Sequence, residues 1–101
     1  MASKIVKIAI SNFEQASVNL VVDFKETSKN VELMMRYHHQ LNECEVGRLV
    51  VLFLLNGKTY VGIFNGINDG SVVLKSTKAN VTIGFQQERL GHFLESKSVI
   101  N

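Results

Sequence analysis

The sequence predicts a mainly β protein with an α-helical element ahead of it: a small, strongly bent, five-stranded antiparallel barrel preceded by a helix at about residues 28–45. Three observations carry this expectation. Leu49 to Leu55 is an unbroken apolar run, the length of a strand buried on both faces. Asn56-Gly57 separates it from a second β-prone run, Thr59 to Phe64, and Asn-Gly between two such runs is the strongest short-range hairpin signal, a two-residue I′ turn with positive φ at both central positions. Gly57, Gly62, Gly66 and Gly70 then punctuate the meander, and Asn68-Asp69-Gly70 turns it into a third run ending Val72-Val73-Leu74. Glycines within and between short strands allow the bends by which a meander closes into a barrel.

The elements follow in chain order. Residues 1–27 form an N-terminal extension. Within it, Ile8, Ile10, Val18, Leu20, Val22 and Phe24 alternate as strands do, whereas Phe13, Ala16, Leu20, Val21 and Phe24 fit a helix behind the capping-box pattern Ser11-Asn12-Phe13-Glu14. β-Branched Val18, Val21 and Val22 tilt the second half of this stretch toward strand. The polar break from Lys25 to Asn30 leads into the helix at 28–45, with Thr27 or Ser28 as its cap. Val31, Met34, Met35, His38 and Leu41, extended by Cys44, recur at three- and four-residue steps as one packed stripe, with His39 exposed and Gly47 as the stop.

Three strands of the meander come next, then a turn over Ser76–Asn80, a fourth strand over Val81–Phe85, a turn or single helical turn at Gln86–Arg89, and a fifth strand over Leu90–Leu94, after which the chain frays. Residues 28–101 thus read as one domain, helix plus barrel. The strand from Leu49 is apolar on both faces, so one face fills the barrel while the helix or a neighbouring subunit covers the other.

Composition narrows the function classes. The chain has 101 residues, 46% apolar and 20% charged, enough for one globular domain with a modest core. No run approaches the ~18 apolar residues of a membrane span, and the start reads as no signal peptide, so a cytoplasmic location is expected. One cysteine, Cys44, excludes an internal disulfide, and the three histidines are not spaced as a ligand set, so no metal and no cofactor are expected. Adjacent His38 and His39 point about 100° apart on a helix and cannot share a metal. Glu43 and Glu45 flank Cys44 and disfavour its thiolate. There is no Ser/His/Asp order in a recognisable context, no GxxxxGK loop and no paired cysteine, so no enzymatic activity is expected. The charge is uneven. Residues 1–45 hold five Lys/Arg against six Asp/Glu, and residues 46–101 hold six against three. The barrel half is therefore mildly basic, which suits a polyanion.

Phe53-Leu54-Leu55-Asn56-Gly57, Gly62 six residues after Asn56, Asn68 six further on, and Val72-Val73-Leu74-Lys75 together resemble the Sm-like (LSm) superfamily, with its small SH3-like barrels, and most of all the bacterial RNA chaperone family Hfq. The likeness runs without gaps over about residues 50–75. It implies an oligomeric protein, assembled as a ring by pairing of strand edges, that binds single-stranded RNA. On that resemblance Phe53 is a stacking platform, Asn68 and Asp69 read base edges from the pore-side loop, and Lys58, Lys78 and Arg89 contact phosphate.

Departures from the family are specific. Phe85-Gln86-Gln87 stands where the family carries Tyr-Lys-His, and Asp69-Gly70 where it carries Gln-Phe, so base recognition is expected to be altered or reduced. Each residue also has a plain structural role: Phe53 as core, Asn68-Asp69-Gly70 as a turn, Lys58 as a solvated hairpin tip. The alternative on the same fold is a non-catalytic interaction module or accessory subunit, with a patch around Met34, Met35 and Tyr37 left for a protein partner.

Overall fold

A computed structural model describes Leu20, Val22 and residues 24–100. Its architecture is one six-stranded antiparallel sheet with β1 (Leu33–Tyr37), β2 (Arg48–Leu54), β3 (Thr59–Asn68), β4 (Ser71–Lys75), β5 (Thr82–Gln86) and β6 (Leu90–Val99), in the order β1-β6-β2-β3-β4-β5. The sheet is not closed into a barrel, because β1 and β5 are its two edges. A short helix precedes it: Leu20, Val22 and residues 24–27 are helical, followed by a 3-10 turn at Ser28–Asn30. The strand expected over the second half of 4–24 is thus helical where it is described. The alternation at Ile8, Ile10 and Val18 and the capping-box pattern at 11–14 lie outside the described residues.

The meander from β2 to β5 follows the sequence closely. β2 is apolar on both faces, and Leu49, Val50, Val51 and Leu52 are all buried. The β2–β3 hairpin is present, but its turn differs from the expected I′ form. Gly57 N–H donates to the Leu54 carbonyl at 3.0 Å and Leu54 N–H to the Lys58 carbonyl at 2.9 Å. Gly57 takes φ +87° while Asn56 does not go positive. This is a three-residue loop with glycine in the left-handed position. Asn56 Oδ1 instead accepts from Lys58 N–H at 2.9 Å, the local bond that suits asparagine to turns. The turn with two positive φ values comes next, at Asp69 (+49°) and Gly70 (+75°), between the paired Asn68 and Ser71. In β3 the pairing slips between Phe64 and Ile67 around Gly66, φ +95°, a bulge that bends the long strand.

Residues 28–45 depart most from expectation. They form no α-helix. Leu33–Tyr37 is strand β1, paired with β6 from Leu33↔Ser96 to Tyr37↔His92, and His38–Glu43 is a 3-10 turn. The stripe at three- and four-residue steps is real in the sequence but does not become a helix face. Only Leu41 and Cys44 of it are buried, and His38 lies exposed beside His39. The reason is tertiary. The outer edge of β6 is a row of backbone donors and acceptors, and pairing β1 there satisfies both strands. Gln40 then starts the 3-10 turn, its Oε1 accepting from Tyr37 N–H at 2.9 Å. The sheet accordingly has six strands rather than five. β6 is also longer than expected. Instead of fraying after Leu94 it continues to Val99, and Ile100 N–H bonds the Gly47 carbonyl at 2.9 Å.

One core joins these pieces: Leu52, Leu74, Ile83, Phe85 and Phe93 from the strands, Leu20 from the helix, and Leu41 and Cys44 from beside the 3-10 turn. The cover over the sheet is therefore Leu20 with Leu41 and Cys44, not a helix at 28–45. Gly62 makes the helix contact possible. A Cβ there would lie 2.9 Å from Leu20 Cδ2, 3.1 Å from Leu74 Cβ and 3.1 Å from the Lys75 carbonyl oxygen. Gly62→Ala is expected to destabilise by about 1–3 kcal/mol, read as a lower midpoint in thermal unfolding. An unchanged midpoint would mean that Leu20 is not packed against this glycine.

Candidate nucleic-acid interface

Three tips of the sheet meet at one end. The 3-10 turn Gln87–Arg89 spans between them: Gln87 N–H donates to the Gly70 carbonyl at 3.0 Å, and Leu55 N–H donates to the Arg89 carbonyl at 2.8 Å. The β2–β3 hairpin tip, the β3–β4 turn and the β5–β6 connection are thus tied by backbone bonds. Five of the six residues singled out from the sequence belong to this end or border it. Lys58 is exposed at the hairpin tip, Asp69 is exposed in the turn with Asn68 half-buried beside it, and Arg89 is exposed in the 3-10 turn. Phe53 is half-buried one residue before the end of β2. Lys78 does not join them. It lies in the loop after β4, at the other end of that strand, ion-paired with Glu26.

Phe53 has a partner that the sequence did not signal. His92 stands opposite it across the β2–β6 ladder, and the two rings stack with centroids 4.5 Å apart and planes 11° from parallel. The pair is separated by 39 positions in the chain, and only the return of β6 to β2 joins it. A second stacked pair lies beyond, on β1 and the turn that follows it: Tyr37 and His39, centroids 6.0 Å apart at 3°. Tyr37 and Met35 are 61% and 64% exposed, a large apolar area to leave in water on an edge strand. Met34, expected in the same patch, is half-buried.

A separate buried polar cluster holds the other side of β6. Glu95 is 4% exposed. Its Oε1 lies 3.5 Å from Arg36 Nε and 3.9 Å from Arg48 Nη1. Arg48 also donates to the Ser96 carbonyl at 2.7 Å and to Glu45 Oε1 at 3.2 Å. Ser96 Oγ accepts from Leu49 N–H at 3.0 Å and donates to the Ser98 carbonyl at 2.7 Å. Cys44 lies against this cluster, and its thiol is pushed up to about 12, by burial first and by the Glu95 carboxylate second, against partial opposition from the two guanidinium groups. The sequence pointed the same way for a different reason, the flanking Glu43 and Glu45.

Two outcomes follow for Cys44. The thiol should resist thiol-specific reagents at pH 8 in the folded protein and react once it is unfolded. Stability should also fall as pH rises from about 9 toward 12. In that window the unfolded chain releases the Cys44 proton and the folded chain retains it, and a raised folded value gives stability that is lost on the alkaline side. Reagent uptake at the same rate in folded and unfolded protein would contradict the buried placement.

Among the described residues, no group of three or more His, Cys, Asp or Glu is placed to hold a metal ion. No helix among them is long and apolar enough to cross a membrane. Comparison of the chain with protein-family models, curated proteins and solved structures found no match.

Proposed function

We propose that this chain is an Sm-like, oligomeric RNA-binding protein with altered or reduced base recognition. The observation that supports it best is the return of β6 to β2. In the run β6-β2-β3-β4-β5 the last strand of the chain, β6, pairs with β2, the first strand of the meander, the strand order that the resemblance implies. That return also sets Phe53 and His92 ring to ring, beside an end that carries Lys58, Asn68, Asp69 and Arg89. Stacking on aromatic rings with nearby cations is how single strands are held without strict sequence choice.

Recognition is altered for two reasons. Gln86 and Gln87 supply amides where the family has a cation and an imidazole. Phe53 is half-buried, with one ring face covered by His92, so less of it is open to a base than a solvent-exposed platform would offer. Assembly on this reading also differs from the simple form of the family. β1 already occupies the outer edge of β6, so copies join through the edges of β1 and β5. Neither edge carries the proline or lysine with which natural proteins block such pairing. Head-to-tail joining that closes yields a ring.

A second reading is favoured by Met35 and Tyr37: an interaction module that docks a protein on β1. Size-exclusion chromatography with light scattering separates the two, run with and without oligo-U and oligo-A at low and moderate salt. A multimer that shifts with RNA, and less so as salt rises, is the expected result, since phosphate contacts release counterions. A monomer or dimer indifferent to both oligomers would remove the RNA reading and leave the interaction module.

A further inference from the structure

We infer that the face formed by β1, β6 and β2 is a base-stacking surface for single-stranded nucleic acid, with Tyr37 as its outermost ring. The inference rests on the RNA-binding reading and extends it to a strand and a pair of rings that the resemblance does not include. Residues directly opposite in an antiparallel ladder share a face. Tyr37 stands opposite His92, His92 opposite Phe53, and Phe53 opposite Thr59. One row therefore crosses four strands, about 14 Å at the usual strand spacing. Beside it on the same face runs a second row, Met35, Leu94, Val51 and Val61, which is exposed at Met35, half-buried at Leu94 and buried at Val51 and Val61.

The chemistry of the two rows selects the occupant. Three of the four residues in the first row are rings, and His39 adds a fourth by stacking on Tyr37. Within each stacked pair the planes are 3° and 11° from parallel. Stacking covers one face of each ring, and Tyr37, 61% exposed, keeps flat ring surface open to a base, while phenol and imidazole edges carry the hydrogen-bonding groups that base edges need. Neither row contains a carboxylate to repel a phosphate chain. The nearest in sequence, Glu95, belongs to the opposite face and is buried against Arg36 and Arg48. Lys58 follows at the hairpin tip next to Thr59 and supplies positive charge at the far end of the row. The exposed part of the two rows is Tyr37, with His39 beside it, and the unbranched Met35, rather than the branched aliphatic surface that a helical peptide would fill.

The chain offers its own probe. It has two tyrosines and no tryptophan. Tyr60 is buried against Phe85, with ring centroids 4.6 Å apart, while Tyr37 is exposed. Tyrosine fluorescence that changes on adding oligo-A therefore reports Tyr37. The experiment titrates the full chain with unlabelled oligo-A while following tyrosine emission, and in parallel measures Kd from the anisotropy of labelled oligo-A. Saturable quenching is expected in the unaltered protein. Tyr37→Ala should weaken binding by about fivefold to over 100-fold, the cost of one lost stack. Tyr37→Phe should keep the affinity and lose the quenching. Tyr37 lies exposed on an edge strand, so neither change removes core packing. Binding with no quenching and an unchanged Kd in Tyr37→Ala would overturn this inference and leave RNA binding at the hairpin end intact. No binding by the unaltered chain would overturn both.

Discussion

Phe93→Ala is expected to remove a large share of the stability of this fold. Phe93 is fully buried in the middle of β6, opposite Leu52 on β2 and Arg36 on β1. Truncating a buried phenylalanine costs about 3–5 kcal/mol, from lost transfer free energy and the cavity left behind. A domain of this size has roughly 5–15 kcal/mol in total, so the midpoint of thermal unfolding should fall by more than about 10 °C. Phe93→Leu keeps most of the volume and should cost much less. The functional consequence is direct. β6 bears His92 and is the strand on which both β1 and β2 pair, so loosening it separates the stacked rings as well as the core. A melt of Phe93→Ala within a few degrees of the unaltered protein would show that β6 is not the centre of the packing.

Glu95→Ala should be the next most damaging change, by about 3 kcal/mol. The loss comes less from the ion pairs themselves than from leaving guanidinium groups beside a buried, emptied site. The figure sits at the low end for a broken buried pair for two reasons. Arg36 is about a third exposed and is partly served by water. Arg48 keeps the Ser96 carbonyl and Glu45 as acceptors. The origin of the effect can be checked by adding Arg48→Met to Glu95→Ala. If the stranded cation is the cause, the double variant recovers part of the lost midpoint, and the two changes are non-additive. Plain additivity would instead assign the cost to packing around the carboxylate.

The two predictions concern neighbours on one strand, yet the sequence announced them unequally. Phe93 sits in a short apolar stretch that reads as a strand. Glu95 lies past the point where the chain was expected to fray, and nothing local marks it as buried. Its burial depends on Arg36, 59 positions earlier, and on Arg48, 47 positions earlier. The same holds at the candidate interface. Phe53, Lys58, Asn68, Asp69 and Arg89 are legible because hairpin tips and turns are written locally, in Asn-Gly, Asp-Gly and the glycines around them. His92 is not, because its stacking partner arrives from another strand. Lys78 is the reverse case: a cation near the meander in sequence that the fold carries to the other end of β4, where it pairs with Glu26.

The local alphabet by itself determined the central strand β2 and the turns of the meander. A strand apolar on both faces must be covered on both, and glycine at 57, 66 and 70 admits the left-handed backbone that the turns and the bulge require. Both facts are independent of the rest of the chain. Residues 33–37 were decided elsewhere. Their helical spacing is compatible with an amphipathic helix, but intrinsic preferences of a few tenths of a kcal/mol per residue are outweighed when a neighbouring strand presents a full row of backbone partners. β6 presented that row, β1 took it, and with it came the open six-stranded sheet, the pairing of partly exposed Arg36 with buried Glu95 and the exposed ring of Tyr37.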